Sequence, residues 1–370
     1  MSAFIKFIRR EPTFCAAFIA AAISCFFTPP DSEYLGYIDF RTLALLYCLM
    51  VIVAGLRRAG IFALMAHVLC RRTSTARGIS LLLVLLCFFS AMLVTNDVAL
   101  LTFVPFTVVV LGLAHLESEL IWVVVLQTVA ANLGSILTPV GNPQNLYLYS
   151  YYGMNIIDFV RITGPVWLIS LAALCLLCLR VPRVQTEVFL GESPALDKRA
   201  LAVYCALFAL CLTVVFHLVS WPVALCVTVA VVAVFDRKRL ISADFMLLAT
   251  FVCFFVFSGN LARIPAAASF LRSALGGHEL LAGALTSQLI SNVPAALLLS
   301  GFTDNSASLL LGVNIGGLGT PVASLASLIS LKLYTHADNA DTGRYMKVFS
   351  AVNFIMLAAL LVIARTLCGA

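Results

Sequence analysis

The string Asn-x-Gly-x-x-x-Thr-Pro-Val occurs twice in the chain, at Asn132 to Val140 and again at Asn314 to Val322. Each copy sits in otherwise apolar sequence and is dense in residues that interrupt a helix. Gly134, Thr138-Pro139, Gly141 and Asn142-Pro143 crowd the first; Gly316, Gly317, Gly319 and Thr320-Pro321 crowd the second. A continuous helix satisfies its own backbone, whereas a broken one frees carbonyl and N–H groups at membrane depth, where only a cavity or a protein partner can receive them. Asn142 before Pro143 and Thr320 before Pro321 each read as an N-cap followed by proline at the first helical position. Two half-helix N-termini would then face mid-membrane and suit an anion. The preceding carbonyls, with Asn96, Asn132, Ser291, Asn292 and Asn314, could hold a cation such as Na+. Glycine and proline also simply kink membrane helices and let them pack closely, and one isolated copy would be read that way.

Asp97, in the triplet Thr95-Asn96-Asp97, is the sharpest single residue. An acidic group deep in apolar sequence costs at least ~2.5 kcal/mol on insertion scales and usually marks an ion or proton pathway. It could equally cap a helix starting at Val98. The matching triplet in the second half is Ser291-Asn292-Val293, so the acid has no twin. Gln144 and Asn145 follow Pro143, and their amides suit a small polar substrate; this Gly141 to Asn145 extension reads as a first-half feature only. His67 falls on a segment expected at the inner interface, His217 at an outer helix end, Glu117 and Glu119 in a loop, and Arg161 and Arg263 near the outer surface, where long basic side chains snorkel.

These residues need a membrane to make sense. Of the 370 residues 62% are hydrophobic and 11% charged, with a mean hydropathy of +1.06. A soluble domain is roughly a quarter charged, so most of this surface must meet lipid. Apolar runs recur near the ~20 residues that a helix needs to cross a bilayer, without the alternation of a membrane β-barrel. The spans read as 13–28, 42–55, 122–149, 163–179, 201–217, 223–235, 245–258, 307–333 and 348–364, nine crossings in all. Short pieces at 60–70 and 262–275 read as interfacial. The arms 79–94 and 98–113 flank Asn96, and a second pair flanks Asn292. They are read as two re-entrant hairpins with protein-lined tips; two crossings joined by an external turn is the alternative for the first.

The basic clusters Lys6-Arg9-Arg10, Arg57-Arg58, Arg71-Arg72, Arg180-Arg183-Lys198-Arg199 and Arg237-Lys238-Arg239 all fall on one side of this scheme, opposite Asp31, Glu33 and Asp39. The positive-inside rule puts the N-terminus inside and the C-terminus outside. Residues 1–180 form a first repeat, 181–199 a cytoplasmic connection and 200–370 a second, inverted repeat, the extra helix 201–217 turning it over. Asn96 and Asn292 are each followed ten positions on by phenylalanine, Phe106 and Phe302. The fold class is thus an all-α polytopic membrane protein, an inverted repeat with two re-entrant hairpins and two broken helices.

The segments TNDVALLTFVPF, ANLGSILTPVGNPQN, SQLISNVPAALLL and GVNIGGLGTPVASLASLISLKLY resemble the ion transporter superfamily, in its arsenite-permease and citrate-transporter-like branch related to divalent-anion:sodium symporters. The resemblance runs over nearly the whole chain after residue 40. It implies an elevator-like motion, often in a homodimer. In the symporter branch the tips read Ser-Asn-Thr and bind sodium and carboxylate. Thr95-Asn96-Asp97 and Ser291-Asn292-Val293 stand there in this chain, and an Asp at the first tip is more like arsenite and sodium/proton antiporter members.

The expectation is therefore a secondary transporter, coupled to Na+ or H+, of a small anion or oxyacid: citrate or dicarboxylate, sulfate or arsenite. A sodium/proton antiporter is the alternative and an uncoupled channel a further one. No H-E-x-x-H or P-loop string is present, so neither a zinc protease nor an ATP-driven pump is read, and no cofactor is expected. The 12 cysteines lie scattered in apolar runs, and Cys175 with Cys178 lacks a second pair or histidine at metal spacing. The net charge of +6 calls for no nucleic acid.

Overall fold

A computed structural model describes residues 11–70, 73–186, 194–337 and 340–368. Lys6, Arg9, Arg10, Arg71 and Arg72 lie outside them. The first half runs through α1 (Pro12–Phe27), α2 (Phe40–Arg58), α3 (Ile61–Cys70), α4 (Ala76–Val94), α5 (Asn96–Leu113), α6 (Leu120–Gly134), α7 (Pro143–Tyr151) and α8 (Ile156–Cys178). After α9 (Lys198–Val215) the second half repeats that order in α10 (Trp221–Asp236), α11 (Phe245–Ala262), α12 (Pro265–Leu275), α13 (Glu279–Ile290), α14 (Asn292–Ser300), α15 (Ser306–Ile315), α16 (Leu325–Tyr334) and α17 (Thr342–Cys368). Sparse polar residues start many of these helices: Asp39, Asn155, Asp197, Asp244 and Asn305 each accept a backbone N–H from the residue three positions on.

Among the described residues eight helices are long and apolar enough to cross a bilayer, and the chain is an all-α polytopic integral membrane protein. Each of the nine expected crossings has a helical counterpart. The eight long helices also include α4 and α5, the arms of the first hairpin, with 19 and 18 residues. In the second hairpin α13 and α14 have only 12 and 9 residues, about 18 and 13 Å.

Burial sorts the helices into layers. Every residue from Val123 to Gly134 in α6 and from Ser308 to Ile315 in α15 is buried, so the two broken helices form the centre. By contrast only 22% of the α8 window and 28% of the α17 window is buried, which leaves these helices to face lipid.

The broken helices fix the hairpin directions. The helix made of α6 and α7 starts at the base of the first hairpin and ends at the base of the second, where the Tyr152 hydroxyl donates to the carbonyls of Ser300 (3.2 Å) and Thr303 (2.9 Å). Its break meets both tips. The bases of the two hairpins therefore lie at opposite ends of this broken helix, and both tips lie against its break.

Two details refine the sequence reading. The segment at Ile61–Cys70, expected at the inner interface, packs on α2, α4 and α5, with His67 buried against protein. Phe106 lies inside α5, whereas Phe302 follows the end of α14, so the shared ten-residue spacing places the two rings differently.

Candidate functional site

Both hairpin tips adopt one unusual backbone. Thr95 has φ 71° and ψ 151°, and Ser291 has φ 75° and ψ 154°. This region is nearly reserved for glycine, and a side chain there costs on the order of 1–3 kcal/mol, sustained only where the surroundings over-determine it. Here they do. The Asn96 N–H donates to the Gly141 carbonyl at 3.2 Å, and Ser291 Oγ donates to the Ala323 carbonyl at 3.4 Å. Each tip is thus bonded to the break beside it.

Sequence shifts make the two halves comparable. A shift of 196 residues carries the first tip onto the second, Thr95 to Ser291, and a shift of 182 carries Asn132 to Asn314. Under them Gly134, packed where a Cβ would lie 2.1 Å from the Phe88 carbonyl oxygen, maps to Gly316, where a Cβ would lie 2.7 Å from Ala284 Cα. Phe88 and Ala284 are themselves equivalent. The Thr138 hydroxyl donates to the Met92 carbonyl at 2.5 Å, and that of Thr320 to the Gln288 carbonyl at 3.3 Å, again between equivalent positions. Gly134 and Gly316 are therefore close-packing residues with helical backbone, not the breakers that the sequence suggested. Pro139 lies in the first break, beyond Thr138, whose backbone is extended.

The caps follow the same symmetry with one correction. Asn142 caps α7, its Oδ1 accepting the Asn145 N–H at 2.8 Å, with Pro143 at the first helical position as expected. Thr320 does not cap: Pro321 to Ala323 forms only a short 3-10 turn, and α16 starts four residues later with Ser324 as its cap, Oγ accepting the Ala326 N–H at 3.2 Å. Ser324 is the equivalent of Asn142; the Gly141 to Asn145 string itself is found only in the first half, but the second half has its own cap at that position. The spacing of ten from Asn314 to Ser324, equal to that from Asn132 to Asn142, is the signal that would have found it.

The two breaks are braced against each other reciprocally. Asn142 Nδ2 donates to Asn314 Oδ1 (3.1 Å), and Asn314 Nδ2 donates to Asn145 Oδ1 (2.7 Å). In mirror fashion Ser324 Oγ donates to Asn132 Oδ1 (2.8 Å), and Asn132 Nδ2 donates to Ser327 Oγ (3.4 Å). Asn96 Nδ2 joins at Asn132 Oδ1, 3.2 Å away. Every one of these residues is buried.

The freed backbone finds amide partners. Asn145 Nδ2 donates to the carbonyls of Ser135, Ile136 and Thr138 at 3.1–3.3 Å. Gln288, which the sequence reading missed, donates from Nε2 to the Gly316 and Leu318 carbonyls (2.8 and 2.9 Å) and accepts the Thr320 N–H (2.9 Å). It closely contacts Gly319, whose φ of +102° has no room for a Cβ. The carbonyls expected to hold a cation thus already accept amide hydrogens.

Two oxygens are left over. Asp97 Oδ1 and Gln144 Oε1 are buried without a hydrogen-bond partner. Both residues line a crevice between the tips, together with Asn96, Asn292, Val293 and Ser324. Asp97 is inside α5 instead of capping it: its N–H donates to Asn96 Oδ1 at 3.0 Å. The N-termini of α5, α7, α14 and α16 all supply residues to this crevice, so four helix dipoles present their positive ends there.

Larger cavities lead away from it. One of about 610 Å³ runs from Asp97 and Asn142 past Leu101 to Arg57, Arg58 and Arg239; another of about 950 Å³ runs from Asp97 and Ser291 to Lys332 and His336. Asp244 borders both. Asp236 holds Arg58 at 3.2 Å and Arg239 at 3.4 Å, gathering the basic face at the mouth. On the opposite face Arg263 reaches Asp31 (2.7 Å) and Glu33 (3.5 Å), and the Arg263 hydrogen bond holds the Asp31 carboxyl below its ordinary range. Among the described residues no cluster of His, Cys, Asp and Glu suited to a metal ion is found.

Comparison with known proteins agrees with this architecture. The family model for citrate transporters matches residues 3–311. An uncharacterized transporter of Methanocaldococcus jannaschii is 29% identical over 334 residues, covering 90% of this chain and 91% of the relative. The inner membrane protein YbiR of Escherichia coli is 29% identical over 343 residues, covering 89% and 90%. A silicon efflux transporter of Oryza sativa subsp. japonica is 29% identical over 151 residues, 40% of this chain and 30% of its own. With the family model spanning most of its length, and with two matched breaks facing two hairpin tips, this chain belongs to the citrate transporter family.

Proposed function

We propose that the protein is a secondary active transporter that couples H+ or Na+ to movement of a small anion or oxyanion across a bacterial cytoplasmic membrane. The observation that carries this reading is the convergence of four helix N-termini on one crevice that contains a single carboxylate, Asp97. The dipoles suit the anion, and the carboxylate suits the coupling ion. The citrate family model and the rice relative named for silicon efflux support small carboxylates and oxyacids, of citrate, dicarboxylate, sulfate or arsenite type, as the substrate class. Thr95, Asn96, Asn142, Gln144, Ser291 and Asn292 would contact substrate or ion directly. Asn132, Asn145, Asn314, Thr138 and Thr320 would hold the breaks in shape. The basic cavity mouth fits a cytoplasmic opening, with the N-terminus inside and the C-terminus outside, and the family resemblance supports a homodimer.

Reconstituted protein should take up labelled citrate, sulfate or arsenite when a Na+ or pH gradient is imposed and stop when it is collapsed. Anion flux that ignores both gradients would turn the reading toward a channel. A sodium/proton antiporter is the second reading, favoured by Asp97 and Asp244 bordering the same two cavities. It predicts Na+-driven proton movement with no anion added.

A further inference from the structure

Resting on the coupled-transport reading, we infer that Arg57 is the first anion contact inside the cavity mouth and the positioning residue of the first hairpin tip. Its guanidinium fastens α2 to the α5 carbonyl that Pro105 leaves open, and an entering anion draws it off.

Pro105 lies inside α5 and has no N–H, so the Leu101 carbonyl, four residues earlier, loses its helical donor. Arg57 supplies another: its Nη2 donates to that carbonyl at 3.1 Å. The Thr102 hydroxyl donates back to the Val98 carbonyl at 2.8 Å, a second departure from plain helix at the same turn. The tip side of this turn, 96–101, carries Asp97. Direct packing between α2 and α5 is slight, with α3 packing on both. Among the described residues the Arg57 bond is the hydrogen bond that joins the two.

Arg57 also has charge available. Arg57, Leu101, Asp97 and Asp244 line the same cavity of about 610 Å³. The other arginines of that cavity, Arg58 and Arg239, are held by Asp236, whereas Arg57 is in no ion pair among the described residues. A neutral carbonyl engages only part of the guanidinium fork, while an anion offers a bidentate, charge-assisted partner about twice as strong. An anion arriving through the basic mouth therefore displaces the carbonyl, and the tip-bearing end of α5 is released beside Asp97.

The second half is built differently at this point. The shift of 196 takes Leu101 to Leu297 and Pro105 to Gly301, where α14 simply ends. Its last carbonyls accept neutral hydroxyls: Ser258, on the α2 counterpart α11, donates to the Leu298 carbonyl at 3.4 Å, and Tyr152 donates to those of Ser300 and Thr303. These bonds carry no charge for an anion to attract.

The test is hydrogen–deuterium exchange of the purified full chain in detergent, read on peptides covering 96–106, with sulfate or citrate compared with chloride at equal ionic strength. Arg57→Ala should speed exchange there by about tenfold. It should have no effect when combined with Pro105→Ala, which returns a helical N–H to the Leu101 carbonyl; this double-mutant cycle separates the bond from general damage. Sulfate or citrate should speed exchange of the wild type toward the Arg57→Ala level and change nothing in Arg57→Ala. Arg57→Lys, which keeps a charged donor, should retain both protection and response. An equal effect of Arg57→Ala with and without Pro105, no anion response in the wild type, or a response that persists in Arg57→Ala would overturn the inference. Gradient-driven anion uptake in liposomes, measured separately, reports on the transporter reading itself.

Discussion

The two halves of the molecule share their mechanics and differ in their chemistry. Each has a side chain forced into a glycine-like tip, a glycine pressed against the preceding arm, a threonine tied to that arm and a capped half-helix whose neighbours brace the opposite break. Only the first has a carboxylate and an unpaired amide oxygen at the crevice. In this fold, then, the repeat supplies shape, and on the transporter reading proposed above the departures from it would supply function.

Substitutions can break that comparison in order of expected effect. Asp97→Asn should lower coupled uptake by about a hundredfold, a barrier change of ~2.7 kcal/mol, while Val293→Asn at the equivalent tip should leave coupling in place; uptake against imposed gradients reads both. Gln288→Leu would strand two carbonyls and an N–H, costing about 1–3 kcal/mol for each group left buried. Met92→Leu at the matching position should cost under ~1.5 kcal/mol, and thermal melting separates the two. Gly134→Ala and Gly316→Ala should each cost ~1–3 kcal/mol by overpacking. Equal losses would support the matched packing, and a tolerated Gly316→Ala would sink it. Asn142→Ala and Ser324→Ala should each cost ~1 kcal/mol from lost capping, and more if the cross-brace contributes. A Ser324→Ala protein as stable as wild type would show that the second cap is idle.

The smallest effect lies far from the site. The Asp31 carboxyl is held low by Arg263. Its contribution is therefore present above the ordinary carboxylate range, near pH 4, and is lost as pH falls through the depressed folded value. Asp31→Asn should flatten the melting curve's dependence on pH only in that acidic window, and only slightly, since the pair is exposed and screened.

What could be read from the sequence follows from where each signal lies. Asn142-Pro143 was legible because cap and proline are adjacent and act within one turn. Thr320-Pro321 looked the same, yet the chain takes a 3-10 turn there and starts the helix at Ser324, a serine lost in a run of Ala and Ser. The repeat was legible because two nine-residue strings match. Gln288 was not, since its partners lie 28 to 32 residues away across a hairpin. Membrane depth was ambiguous for the first hairpin because its arms are as long as true crossings; only contacts between its tip and a break show where it turns.

The reciprocal brace also sets a schedule for biosynthesis. The Asn132 amide waits for Ser327, 195 residues later in the chain. At ~5–20 residues per second, the first half leaves the ribosome on the order of 10–40 s before its polar centre can be closed. During that interval the Asn132 and Asn142 amide N–H groups and the Asn145 side-chain oxygen lack the second-half partners that they have in the finished fold, so the polar centre stays incompletely satisfied until the second half arrives.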